Sequence, residues 1–120
     1  MIEKVAAIEA KLAALRETFA VQLIEDLNAL KVASRGVMDG TSDQETRPAL
    51  ADLQKLSHKL SGSGTTFGFP GVSASAYELE KLCESLSDTG LPLMSEQKDR
   101  MSDLIDQLAR EVATARPIAS

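Results

Sequence analysis

The chain carries few side chains that can do chemistry. Among 120 residues there is one histidine, His58, one cysteine, Cys83, and one tyrosine, Tyr77. One His and one Cys are too few for a structural zinc site. No GxxxxGK[ST], GxGxxG or GxSxG run occurs, so neither a known phosphate-cradling loop nor a serine-hydrolase elbow is present. The acidic pairs Glu25 with Asp26 and Asp103 with Asp106 read as solvated helix faces, and no metal site is expected. Cys83 falls on an apolar stripe and reads as packing. What remains is the His58 imidazole, a nucleophile with a free nitrogen lone pair in its neutral form.

The elements that must hold His58 are helices. Three Phe, one Tyr and no Trp, set against many Leu, Ala, Glu and Lys, favour helix over sheet. Val5, Ile8, Leu12, Leu15, Phe19, Leu23, Leu27, Leu30 and Val37 recur at steps of mostly three and four, one apolar stripe that should face a core. No Gly or Pro interrupts residues 1–35, which fits one long helix or two joined near Thr18. Gly36 and Gly40 signal a stop, and residues 39–45 a polar loop. A second helix is expected from Thr46–Pro48 to about Phe67, with Leu50, Leu53, Leu56 and Leu60 on one face. Gly68, Pro70 and Gly71 break it. Val72, Ala76, Leu79, Cys83 and Leu86 mark a third helix, and Gly90 with Pro92 the next loop. Ser95 is the expected N-cap of a last helix with Met101, Leu104, Ile105, Leu108 and Val112 inward, stopped by Pro117. Short loops between amphipathic helices make this an all-α, up-and-down antiparallel four-helix bundle. It is read as one domain over 1–120, with residues 1–18 as an N-terminal extension and residues 46–88 as the hairpin that carries His58.

On an ideal wheel with Leu50 at zero, Leu53, Leu56, Leu60, Gly64 and Phe67 centre near 285°, while His58 falls at about 80°. His58 is therefore expected in solvent, mid-helix, beside Ala51, Gln54, Lys55, Ser61, Gly62 and Thr65. One reading is an ordinary surface histidine. The other is an accessible nucleophile, because Gly62 and Gly64 each cost roughly 1 kcal/mol against Ala inside a helix and make room for another molecule.

The run LSHKLSGSGTTFGFPGVSASAYELEKLCESL, residues 56–86, resembles the histidine phosphotransfer (HPt) family, whose motif is H-x-x-K-G-x5-G on a bundle helix. His58, Gly62 and Gly68 match it in type and spacing, and Leu60 matches the usual apolar position. Leu79, Glu80 and Leu82 are in the family's style. Where the family carries Lys three residues after the His, this chain has Ser61. Lys55, one turn before His58 on the same face, is the favoured substitute, and Lys59 the other. A fainter likeness to the H-box of sensor kinases lacks the Thr or Asn and the Pro that follow it there.

The resemblance implies a phosphoryl carrier without ATP-binding or turnover activity. His58 would take the group from the aspartyl phosphate of a receiver domain and pass it to another receiver in a multistep phosphorelay. Lys55, Lys59, Gln54, Ser61, Gly62 and Thr65 would surround the phosphoryl group, and Gly68 would serve the hairpin turn. No cofactor is expected in the chain itself, with Mg²⁺ supplied by the receiver. The implied partners are response-regulator receivers and a hybrid sensor kinase, the chain itself being a monomer. Two alternatives stay open: a helical adaptor that binds a receiver or kinase without being phosphorylated, and a coiled-coil module dimerising through residues 1–35. The net charge of −5 argues against nucleic acid and anionic membrane. The start MIEKVAAIEA lacks a signal-peptide core, and a lone Cys suits a reducing cytoplasm. Met1 and the extension favour a free-standing protein.

Overall fold

The computed structural model describes residues 2–89 and 93–114, and folds them into four α-helices with no strand among them. They are α1 (Ile2–Asp39), α2 (Asp43–Phe67), α3 (Pro70–Thr89) and α4 (Ser95–Thr114). The core is Leu-rich. Leu23 and Leu30 of α1, Leu53 and Leu60 of α2, Ala76 and Leu79 of α3, and Met101 and Leu108 of α4 lose all contact with water. The expected four-helix bundle is therefore the observed one, and the extension is continuous with its first helix.

Several boundaries differ from the sequence reading. The first helix does not break near Thr18 and runs through Gly36 to Asp39. Gly36 is tolerated because α2 presses on it: a methyl group there would lie 2.9 Å from Ala49 Cβ. The second helix begins at Asp43, ahead of the expected Thr46–Pro48, because Ser42 caps it. The Ser42 hydroxyl accepts from the Glu45 N–H, and the Glu45 carboxylate accepts from the Thr41 N–H at 3.2 Å, a variant of the Ser-x-x-Glu box. Gly68, with φ of 83°, closes α2 in the left-handed conformation, where its missing side chain matters. The second helix breaks there as expected, and Pro70 already starts α3, as its fixed φ allows. Ser95 is the first residue of α4 and not its cap; the exposed end is held by Gln97 Oε1, which accepts from the Met94 N–H at 2.8 Å. The expected Gly90–Pro92 loop and Pro117 stop lie outside the described residues.

The largest departure lies in α1. Residues 3–18 are exposed along their whole length, and burial starts at Phe19. Helix α1 therefore projects beyond the other three, and the molecule measures 60 × 21 × 18 Å. Val5, Ile8, Leu12 and Leu15 are not core, because none of the other described residues covers them. At the edge of the bundle Phe19 stacks on Phe67 and Phe69, with ring centroids 4.6 and 5.5 Å apart. That cluster closes the core around the α2–α3 turn.

Helices α2 and α3 approach closely at Gly64. A methyl group on Gly64 would lie 2.8 Å from the Ser73 nitrogen and 3.1 Å from the Phe69 oxygen, whereas one on Gly62 would meet nothing within 4 Å. Gly64→Ala is thus expected to destabilise the fold by about 1–3 kcal/mol through overpacking. Gly62→Ala should hold or raise stability, by up to about 1 kcal/mol of helix propensity. Urea denaturation followed by circular dichroism separates the two.

Candidate functional site

His58 sits in the second half of α2 on the side turned toward α3. The buried face of α2 consists of Thr46, Leu50, Leu53, Ser57, Leu60 and Gly64, while Leu56 is only half-buried. Ser57 takes the inward place expected of Leu56 because its hydroxyl donates to the Leu53 carbonyl at 2.8 Å and needs no water. The core face is therefore rotated toward Ser57, and His58 lies about 120° from its centre rather than opposite it. This rotation brings the imidazole to the seam between α2 and α3.

Across the seam stands Glu80. His58 Nδ1 lies 2.6 Å from Glu80 Oε2; the histidine side chain is 78% exposed and the glutamate side chain 13%. An ionised carboxylate only accepts, so the proton of this bond is on Nδ1. That places the lone pair of a neutral ring on Nε2, at the exposed end. A carboxylate so arranged fixes the tautomer, holds the ring plane and offsets positive charge that develops on the ring. Glu80 is the site residue the sequence reading did not select. A signal for it existed: the hairpin turns at Phe69, and His58 and Glu80 are equally far from it along the chain.

The other expected neighbours divide into two groups. Ala51, Gln54 and Lys55 line a shallow depression together with His58 and Glu80, so Lys55 is the cation on the histidine's own surface. Gly62 lies one turn on, open to solvent. Lys59 lies elsewhere. Its Nζ is 3.1 Å from Asp26 Oδ2 and 3.2 Å from Oδ1, across the α1–α2 seam. Asp26 is buried and also accepts from Gln22 Nε2. It is not the solvated carboxylate expected from its pairing with Glu25, because it lies on the core stripe of α1 and must be compensated. That demand turns Lys59 toward α1 and away from the phosphoryl position expected for it.

The Thr65 hydroxyl and the Ser61 carbonyl are engaged within the hairpin. Ser73 Oγ donates to the Ser61 carbonyl at 2.5 Å, which leaves the Thr65 hydroxyl to donate to Ser73 Oγ at 2.7 Å. Ser61 and Thr65 thus bind α2 to α3 beside the site. Gly68 serves the turn, as expected. Cys83 is buried, and burial, then the nearby Glu80 carboxylate, pushes its thiol up to about 12, so it stays protonated and unreactive. Among the described residues, no three His, Cys, Asp or Glu side chains gather to hold a metal ion. No helix there is long and apolar enough to cross a membrane.

Comparison with known proteins identifies the family of the chain. No curated protein and no solved structure matches the chain. The family model described as Hpt domain matches residues 7–111, which takes in His58, Glu80 and all of the bundle but the start of α1 and the end of α4. On that match, and with the lone exposed histidine on a four-helix bundle, the chain belongs to the Hpt domain family, the histidine phosphotransfer modules of two-component phosphorelays.

Proposed function

We propose that His58 Nε2 is the phosphoryl acceptor, and that the chain carries the group between receiver domains in a multistep relay. The observation that supports this most is the Nδ1–Glu80 hydrogen bond on an otherwise open ring. The Nε2 lone pair attacks the phosphorus of a receiver's aspartyl phosphate in line. The N–P bond forms as the P–O bond to the aspartyl carboxylate breaks, and that bond's electrons leave with the carboxylate. No proton has to depart, because Nε2 carries none. The ring gains positive charge while its Nδ1 proton stays on the ring, donated to Glu80, whose carboxylate offsets that charge. Delivery to a second receiver reverses each step. Such transfer depends mainly on positioning and charge stabilisation.

The remaining residues have supporting roles in this reading. Lys55 supplies positive charge to the phosphoryl oxygens from the floor of the depression. Gly62 admits the receiver's loops, since a side chain there would stand in open space where a partner must come. Magnesium comes with the receiver's own acidic pocket. The chain makes no ATP chemistry and is itself the modified species, in a cytoplasm that keeps Cys83 reduced. The adaptor reading draws on Ser61, which stands where the family carries Lys, and labelling decides between the two.

Incubated with a phosphorylated receiver and Mg²⁺, the wild-type chain should take up acid-labile label, and His58→Gln none. A wild type that stays unlabelled while a known carrier is labelled would leave only the adaptor. Glu80→Gln should slow transfer about tenfold or more, the scale of one charge-assisted hydrogen bond. In the same variant, imidazole ¹⁵N shifts should move from the Nδ1–H form to a mixture of tautomers; unchanged shifts would remove Glu80 from this role. Lys55→Ala should slow transfer several-fold at unchanged stability. Lys59→Ala should leave transfer intact and cost about 1–3 kcal/mol in urea denaturation, since Asp26 would stay buried without its cation. The opposite pattern would exchange the roles of the two lysines.

A further inference from the structure

Val5, Ile8, Leu12 and Leu15 are each between 50 and 58% exposed on a helix that none of the other three helices covers. Their steps of three, four and three are those of a and d positions in a coiled-coil seam, narrower than the stripe of a bundle helix. We propose that residues 3–18 of α1 pair with the same residues of a second copy as a short antiparallel coiled coil.

Antiparallel order follows from where the bundle sits. The seam lies on the same side of α1 as Phe19, Leu23 and Leu30, which are buried by α2–α4. Two straight α1 helices paired in parallel along that side would drive their bundles into each other beyond Phe19. Paired antiparallel, Val5 layers on the partner's Leu15 and Ile8 on the partner's Leu12, and the reciprocal layers complete the seam. Each bundle then stands beyond the opposite end of the stripe, and both copies of His58 remain open.

Charge points to a like partner. Glu3, Glu9 and Glu17 balance Lys4, Lys11 and Arg16, so the projecting segment is neutral and the net charge of −5 resides in the rest of the chain. A neutral seam carries no sign bias to select an oppositely charged protein. The antiparallel order also keeps two acidic bundles apart, which a side-by-side pair would not. The heptad places Lys11 against the partner's Lys11, and Glu9 against the partner's Glu9, near the two-fold axis. These exposed like-charge contacts and the short seam, roughly 24 Å long at 1.5 Å per residue, make the association weak and reversible.

The test is sedimentation equilibrium of the full chain over roughly 1 µM to 1 mM, the span of Kd open to a small interface. A monomer–dimer equilibrium is expected, weakened at least tenfold by Leu12→Glu and separately by Ile8→Glu, with the thermal melt of the bundle unchanged. An equimolar mixture of Lys11→Glu with wild type should associate more tightly than either alone, because the axis then pairs Lys with Glu. A wild type that stays monomeric throughout, or a dimer that survives both Glu substitutions, overturns the proposal. So does a Lys11→Glu homodimer tighter than wild type, the signature of parallel order, in which Lys11 faces the partner's Arg16.

Discussion

At Gly64 the backbones of α2 and α3 come so close that one methyl group would touch the Ser73 nitrogen. The arrangement around His58 depends on this approach. It brings Ser73 within reach of the Ser61 carbonyl and Thr65 within reach of Ser73. Those hydrogen bonds fix the rotation of the two helices about their axes. With rotation and separation fixed, Glu80 comes to stand across the seam from His58. The partly shielded carboxylate then sets which imidazole nitrogen keeps its proton. The solvent-exposed ring proposed as the nucleophile owes its geometry to a glycine nearly two turns away.

The helices could be read from the sequence because each is amphipathic and bounded by Gly, Pro or a capping Ser. The outward position of His58 was legible for the same reason. What a wheel drawn on one helix could not give was its angular offset. Ser57 satisfies its hydroxyl on the Leu53 carbonyl, so a polar residue took an inward place that hydrophobicity assigned to Leu56. Glu80 was legible only by treating the hairpin as a unit and pairing residues equidistant from the turn at Phe69. Asp26 and Lys59 were hidden for a related reason. Their pairing joins α1 to α2, and sequence spacing says nothing about which charges meet across a seam.

The stripe on α1 shows a different limit. Periodicity identifies the face of a helix that would gain from burial. Whether it is buried depends on whether other elements are long enough to lie against it. From Phe19 onward they are, and the stripe becomes core; before it they are not, and the same pattern continues in water. The physical drive to remove those side chains from water is unchanged. Among the described residues it is left unmet, and the proposed association between copies would satisfy it.

The division of charge around α2 suits a carrier. A group that must be accepted and later released cannot be bound too firmly, since stabilising the phosphorylated ring beyond the transition state would slow its onward delivery. Here one lysine of the region is tied to the buried Asp26 and withheld from the histidine, and the place three residues after the histidine is filled by Ser61. Lys55 remains on the histidine's surface, on a flexible stem able to meet the phosphoryl oxygens while a receiver is docked. The fixed part of the site is the Glu80 carboxylate on the proton-bearing side of the ring. In the proposed relay it would stabilise the cationic ring during transfer in either direction without touching the phosphoryl group, so the same contact would serve both uptake and release.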